Sequence, residues 1–158
     1  MQSIQIAREM SQQNWSILMA GWRDFPQLNA LEKACFIPED RWPFWDTLGV
    51  LTLPGLVRLK AVAGDCMVGF VGGERNHARH QGWVTTLGVL PDFRRRGIAR
   101  ALLSVCEVEL AMPVIRLCVR ESNEAAIRLY QSAGYQLESH WKKYYAHGET
   151  ALVFEKSV

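Results

Sequence analysis

The chain has 158 residues, of which 49% are hydrophobic and 22% are charged, and these values fit one globular domain with a sizeable core. The formal net charge is only +2, which excludes a protein that binds nucleic acid over its whole surface and leaves local attraction for phosphate. Every apolar run is far shorter than the roughly 20 residues that span a bilayer.

The N-terminal end and the cysteines bear on location. Residues 1–14 lack the continuous apolar stretch of a cleavable signal, so we treat them as an extension of a single domain over 1–158. Four cysteines are scattered without a CxxC pair, and Cys66, Cys106 and Cys118 lie in apolar runs. This distribution predicts reduced thiols in the core, no metal site and a cytoplasmic, reducing location without membrane contact.

Strand-like and helix-like patterns alternate along the chain, without repeats or linkers. Gly64-Asp65 between two strand-like runs is a strong hairpin signal. The predicted elements are, in chain order, a strand over 16–22, a helix over 26–36, a short helix and loop in the aromatic-rich segment 36–55, strands over 56–63 and 66–73, a polar turn over 73–82, a strand over 82–90, a helix over 97–111, a strand over 114–120, a helix from 122 or 123 to 132, and a hairpin of 135–145 with 150–158. This order predicts a mixed α/β sheet with the helix over 97–111 packed against it.

The most informative stretch is PDFRRRGIARALL, in which three arginines stand directly before a predicted helix. A helix start leaves about four backbone N–H groups without partners and favours negative charge, so Arg94, Arg95 and Arg96 are unfavourable for their own turn. They are explained if an anion binds there, since Gly97 and the small Ala99 let a ligand approach the backbone. Neither GxxxxGK[ST] nor GxGxxG occurs, which excludes the phosphate loops of P-loop and Rossmann proteins.

Two segments resemble the motifs of the GCN5-related N-acetyltransferase (GNAT) superfamily. VLPDFRRRGIARALL is similar to its motif A, [QR]xxGx[GA], with Arg94, Gly97 and Ala99 in the pattern. VRESNEAAIRLYQSAGY is similar to the downstream segment, with Asn123 followed seven residues later by Tyr130. Within the superfamily the nearest likeness is to the bacterial ribosomal-protein alanine N-acetyltransferases. The resemblance implies a mixed, mostly antiparallel central sheet of six to seven strands with helices on both faces.

The resemblance also implies acetyl-CoA as the acyl donor. Its pyrophosphate would bind to backbone N–H groups from Arg95 to Ala99, with the arginines near the phosphates. The strand before motif A would diverge from its neighbour, and its backbone would then pair with the pantetheine like an added strand. The implied donor-binding residues are Leu87, Gly88, Val89, Arg94, Arg95, Arg96, Gly97, Ile98, Ala99, Asn123 and Tyr130.

Direct acyl transfer to an amine needs a neutral amine, a donor for the carbonyl oxygen and a proton for the departing thiolate. The resemblance implies the Val89 N–H as the oxygen's donor and Tyr130 as the acid, whose ordinary pKa of about 10 is close to a thiol's value of about 8.5. In the nearest relatives a glutamate base stands where this chain has Cys118. A thiol cannot replace a carboxylate at neutral pH, and we expect Cys118 to be a buried packing residue.

The base and the acceptor therefore stay open. Either another carboxylate (Glu74, Glu121 or Glu149) or a water chain supplies the base, or an α-amine with a pKa near 7.7–8.0 needs little help. The acceptor is a protein N-terminal α-amine or a small-molecule amine: the aromatic-rich 36–55 favours a smaller or apolar acceptor, whereas the Tyr-Tyr and Gly-Glu residues of the final hairpin favour a peptide end. A non-catalytic acyl-CoA-binding regulatory module is the alternative function. We expect no nucleic-acid partner and leave a homodimer open.

Overall fold

Seven strands and four α-helices make up the computed structural model, which describes residues 14–158. Residues 1–13 of the expected N-terminal extension lie outside the described residues. The strands are β1 (Ser16–Met19), β2 (Val57–Ala63), β3 (Cys66–Asn76), β4 (Gln81–Val89), β5 (Val114–Arg120), β6 (Gln136–Trp141) and β7 (Ala151–Ser157). The helices are α1 (Phe25–Cys35), α2 (Phe44–Thr52), α3 (Ile98–Leu110) and α4 (Glu124–Ser132).

The strands form one sheet in the order β1-β2-β3-β4-β5-β7-β6, and every neighbouring pair is antiparallel except β4 and β5. This confirms the mixed, mostly antiparallel sheet. The parallel pairing ends at Val84 and Leu117. Beyond it, β4 stays paired with β3 as far as Val89, and β5 stays paired with β7 as far as Arg120. The two strands therefore diverge and leave a gap between their carboxyl ends.

Helices cover both faces of the sheet, as expected. On one face α3 buries Leu102, Cys106 and Leu110 in a core that also receives Tyr130 of α4. On the other face α1 and α2 pack over the sheet around Phe70, with Leu31 among the residues that they bury. Among residues 14–158, no helix combines the length and the apolar character needed to cross a membrane.

Four local predictions differ from the structure. The first strand of the final hairpin, predicted over 135–145, ends at Trp141, and a turn follows it. The strand predicted over 16–22 ends at Met19, because the Gly21 N–H is bound by the Asp24 carboxylate (2.9 Å) at the start of a short 3₁₀ turn. The predicted polar turn over 73–82 is mostly strand: β3 runs to Asn76, and the Arg75 guanidinium binds the Leu110 carbonyl (3.1 Å) at the end of α3. Cys66 is exposed rather than in the core, because it is the first residue after the hairpin turn.

Candidate active site

The start of α3 is an open anion-binding end. Gly97 adopts a left-handed φ of +80°, and a Cβ built on it meets no atom within 4 Å. Arg95 is also left-handed, with φ 61°. Within the described residues no side chain caps this end, the first turn holds no acidic residue, and the Ala101 N–H bond to the Gly97 carbonyl (3.0 Å) is the first of the helix. The preceding N–H groups are thus available to a ligand.

A cleft of about 860 Å³ opens in front of this helix start, and we call it the arginine cleft. It is lined by every predicted donor-binding residue except Arg96. Its lining residues are Cys35, Phe36, Leu87, Gly88, Val89, Phe93, Arg94, Arg95, Gly97, Ile98, Ala99, Arg100, Asn123, Ala125, Ala126, Arg128, Leu129 and Tyr130.

The three consecutive arginines have different surroundings. Arg94 donates from Nε to the Val89 carbonyl (2.9 Å) and so fixes the end of β4. Arg96 donates to the Asp92 carbonyl (3.1 Å), and its guanidinium carbon lies 4.9 Å from the centre of the Phe93 ring. Arg95 lines the cleft, whereas Arg96 does not.

Two further arginines line this cleft and were missed in the sequence. Arg100 donates to the side chain and the carbonyl of Ser132 (2.9 and 3.1 Å), and it thereby joins α3 to α4. Arg128 lies on α4 and lines the cleft on that side. The spacing held a usable signal, because Arg100 is three residues after Gly97 and therefore follows it by about one helical turn.

The diverging end of β4 presents backbone groups to the gap. The Leu90 N–H binds the Val68 carbonyl of β3 (2.9 Å), and in an antiparallel ladder alternate residues face the same neighbour. Gly88 therefore also faces β3, whereas Leu87 and Val89 direct their backbone groups into the gap. Arg94 occupies the Val89 carbonyl, and the Val89 N–H lies within hydrogen-bond reach of the Cys35 thiol. The groups left wholly to a ligand are therefore the N–H and the carbonyl of Leu87. Of the three residues predicted to pair with pantetheine, Leu87 and Val89 thus have the required direction.

Tyr130 lies on α4, whose N-cap is Asn123; the Asn123 Oδ1 accepts the Ala126 N–H (3.2 Å), as predicted for a cap. The Tyr130 side chain is only 7% exposed, and burial raises its pKa to about 12. Its ring packs against Tyr135 at 6.0 Å between centroids, and the Tyr135 hydroxyl donates to the buried Glu107 carboxylate (2.9 Å). In the part of the chain that is described, the Tyr130 hydroxyl has no hydrogen-bond partner, so it is free to act on a ligand.

On the other side of Tyr130 lies a second cleft of about 620 Å³, which we call the aromatic cleft. Its aromatic wall includes Trp83, Trp141, Tyr144 and Tyr145, with successive ring centroids 5.9, 5.5 and 5.0 Å apart. Its lining residues are Phe36, Asp40, Trp42, Glu74, Trp83, Val84, Thr85, Thr86, Leu87, Leu117, Cys118, Val119, Arg120, Asn123, Ala126, Tyr130, Trp141, Tyr144 and Tyr145.

An ion-pair network holds the mouth of the aromatic cleft. The Arg120 guanidinium donates to both Asp40 carboxylate oxygens (2.6 Å each) and to Glu149 (2.6 Å), and it lies 4.4 Å from the Tyr145 ring centre. Hydrogen bonds from Ser122, followed by the Arg120 guanidinium, lower the pKa of Glu149. The network thereby ties the 3₁₀ turn at Asp40 to the end of β5 and to the loop before β7.

Cys118 is half-buried and lines the aromatic cleft, rather than packing in the core. Burial raises the pKa of its thiol to about 11, so it is protonated at neutral pH. Of the three candidate carboxylates, Glu149 is bound to Arg120 and Ser122, and Glu121 lines neither cleft. Glu74 lines the aromatic cleft and, among residues 14–158, makes no ion pair or side-chain hydrogen bond.

The two clefts meet at Tyr130. Both are lined by Phe36, Leu87, Asn123, Ala126 and Tyr130. The junction therefore combines a buried phenol with the free edge of β4. One side of it is cationic and borders the open helix start, whereas the other is aromatic and carries carboxylates. Such a division suits two ligands that react where they meet.

The model of the Acetyltransferase (GNAT) family matches residues 18–135. The chain belongs to this family. The matched range includes the start of α3, the diverging end of β4 and Tyr130. It thereby confirms the resemblance that the two sequence motifs indicated.

Comparisons with individual proteins agree. An acetyltransferase of Sodalis glossinidius is 39% identical over 88 residues, which cover 54% of this chain and 60% of that relative; the chain thus spans about three fifths of its length. The ribosomal-protein-S18-alanine N-acetyltransferase of Escherichia coli has a TM-score of 0.81 at 23% identity, over 91% of this chain and 94% of that one. The structure of Arabidopsis thaliana NAA60 in complex with acetyl-CoA has a TM-score of 0.80 at 19% sequence identity, and the match covers 91% of this chain and 98% of that one. Both structures show that the fold is shared.

Proposed function

We propose that the protein is an N-acetyltransferase that uses acetyl-CoA and acetylates a primary amine, either a protein N-terminal α-amine or a small-molecule amine. The observation that carries the proposal is the meeting of the two clefts at Tyr130. In this proposal the arginine cleft binds the donor and the aromatic cleft binds the acceptor. The family and the shared fold support acetyl transfer as the reaction.

The arginine cleft fits acetyl-CoA on two counts. The open backbone at Gly97 and the uncapped N–H groups after it suit a pyrophosphate, with Arg95 beside them. The backbone groups of Leu87 and Val89 suit the amide groups of an extended pantetheine. Acetyl-CoA, when bound, supplies an activated thioester. The chain's own residues must orient it and exclude water.

We place the stabilisation of the carbonyl oxygen on the Leu87 N–H. Two N–H groups face the gap, at Leu87 and Val89, and Leu87 lines both clefts whereas Val89 lines only the arginine cleft. The oxygen gains charge where donor and acceptor meet, so the donor group at the junction is the better placed. The Val89 N–H, which the resemblance implies for this role, lies within reach of the Cys35 thiol instead.

Tyr130 would supply the proton to the departing thiolate. Tyr130 lines both clefts at the junction, and its pKa of about 12 keeps its hydroxyl protonated at neutral pH. A thiol in this environment is also a weak acid, as Cys118 shows with a pKa of about 11. Burial at the junction would raise the pKa of the departing thiol as it raises that of Tyr130, so the thiolate is a strong enough base to take up the proton.

Glu74 is our proposed acceptor for the amine's proton, directly or through water. It is the uncommitted carboxylate of the aromatic cleft among the described residues, and it can attract the acceptor as an ammonium ion. An α-amine, which titrates near 7.7–8.0, needs only a small shift to become neutral. Glu74→Gln should therefore lower kcat/KM most at acidic pH, whereas Glu121→Gln, a matched change outside the cleft, should leave it unchanged.

A non-catalytic acyl-CoA-binding module is the second candidate, because a protonated Cys118 stands where a glutamate base is expected. Thiol release from acetyl-CoA with a panel of amines and N-terminal peptides separates the two. The proposal predicts turnover well above background with at least one acceptor class. Tight binding of acetyl-CoA without turnover on any acceptor would favour the binding module instead.

A further inference from the structure

A third depression, of about 340 Å³, runs between α2 and the sheet, and we call it the α2 groove. Its apolar walls are Trp42, Trp45, Val50, Leu53 and Leu56. The burial pattern of α2 explains them: Val50 is buried against the sheet, whereas Trp45 and Leu53 extend past the packed face and are 74% and 55% exposed. An unfilled apolar groove of this kind is a site for an apolar group.

The α2 groove is continuous with the aromatic cleft. Trp42, Glu74 and Thr85 line both of them. A ligand whose reactive end lies at the junction with Tyr130 can therefore extend past Glu74 into the α2 groove. A small amine would fill the aromatic cleft alone, whereas an elongated acceptor would reach both.

The charges select the chemistry of such an acceptor. The charged residues that line the α2 groove are Asp46 and Glu74, and the described chain places no lysine or arginine there. An acidic acceptor is thus disfavoured, while a neutral or cationic chain with an apolar side chain is favoured. The Tyr144 and Tyr145 loop adds a second wall near the reactive end, which suits an extended peptide.

We propose that the α2 groove is a second acceptor subsite, which binds an apolar side chain of a peptide whose N-terminal amine is acetylated at the junction. This inference rests on the proposed function. It also reconciles the two sequence signals on the acceptor, because the aromatic segment and the final hairpin line one continuous path. The acceptor would be a peptide end, and the apolar preference would apply to a residue beyond the first.

The test uses hexapeptides in which a single Leu or Trp is moved through positions 2 to 5 of a serine background. A desamino version of each peptide, which lacks the α-amine and cannot be acetylated, is titrated calorimetrically into the protein with CoA present. We expect one position to bind about tenfold or more tightly than the serine parent, as for a filled apolar pocket. The same position should lower KM in the transfer assay.

Two variants assign the preference to the groove. A Cβ at Gly49 would meet only the Leu53 side chain, at 3.5 Å, so Gly49→Leu should fill the groove in a folded protein and abolish the preference. Trp45→Ala should weaken it. Trp22→Ala is the matched control, because Trp22 is 64% exposed and lines none of the three depressions.

The outcomes are distinguishable. The subsite would be overturned, even if acetyl transfer occurs, by either of two results. The first is that no position of Leu or Trp tightens peptide binding. The second is that the tighter binding is unchanged in both groove variants. Equal kcat/KM for single amino-acid amides and for hexapeptides would overturn it in the same way. Groove-dependent binding of desamino peptides without any acetyl transfer would instead support the subsite and refute the transferase. Self-association that Trp45→Ala abolishes, with no peptide binding, would assign the groove to a second copy and overturn the proposal.

Discussion

Replacement of Gly97 by alanine separates backbone strain from ligand contact at the start of α3. Gly97 has φ +80°, and open space surrounds the position of its missing Cβ. A left-handed alanine costs about 1–2 kcal/mol, and the loss of unfolded-state freedom offsets about 0.4–1 kcal/mol of this. The net destabilisation is therefore about 1 kcal/mol, which for a chain of this size lowers Tm by about 2–4 °C.

The effect on acetyl-CoA should be larger than this strain, because Gly97 lines the arginine cleft and the new methyl group would stand where a pyrophosphate approaches. We expect Kd for acetyl-CoA to rise by about tenfold or more, equivalent to about 1.4 kcal/mol. Calorimetric titration measures Kd, and thermal denaturation followed by circular dichroism measures Tm.

Gly55→Ala is the matched control. Gly55 has φ +81°, is equally open around its Cβ position, and lines none of the three depressions. The control should show the same fall in Tm as Gly97→Ala without any change in Kd. If Gly97→Ala binds acetyl-CoA as tightly as the unmodified protein, no phosphate approaches this backbone and the reasoning for the arginine cleft is wrong.

Three further predictions concern the junction and the aromatic cleft. Tyr130→Phe should lower kcat by about 100-fold with little change in acetyl-CoA affinity, since a general acid accelerates a reaction by about 10²–10⁴-fold. Burial raises the pKa of Tyr130 to about 12. The kcat of the unmodified protein should therefore not fall through ionisation of Tyr130 up to about pH 10, where an ordinary phenol would already be half ionised. Cys118→Ser should change kcat by less than tenfold, because a thiol with a pKa of about 11 is no base at neutral pH; a larger loss would give the thiol a chemical role. Arg120→Met should raise the acceptor's KM about tenfold without changing the Kd of acetyl-CoA, because it removes the ion-pair partner of Asp40 and Glu149. An equal rise in the acceptor's KM and in the Kd of acetyl-CoA would show a general loss of structure.

Local signals in the sequence predicted most of the elements and most of the residues that line the arginine cleft. The Gly64-Asp65 turn, the Asn123 cap and the glycine at the start of α3 act on their own neighbours, so their effects can be read from short stretches. The split of the arginine triplet could not be predicted. The role of each arginine depends on the groups that surround its guanidinium: Arg94 binds a backbone carbonyl and Arg96 lies over an aromatic ring.

The aromatic cleft was predicted poorly because it is assembled from distant segments. Asp40 and Arg120 are 80 residues apart in the chain and form its ion pair, and no local pattern indicates that pairing. Cys118 lies in a cleft instead of the core because it shares with Arg116 and Arg120 the half-buried face of β5. The apolar character of the run hid this alternation. The length of β3 was missed because Arg75 is satisfied by the end of α3.

A titration of the ¹⁵N-labelled protein with CoA, followed by amide chemical shifts, shows whether the arginine cleft binds the acyl donor. The largest shifts should lie at the amides of Leu87 and Val89 and at the helix start from Arg95 to Ala99. Smaller shifts should reach Tyr130 and the residues that both clefts share. Saturable binding with its largest shifts elsewhere on the sheet, and none at Gly97 or Leu87, would contradict the account.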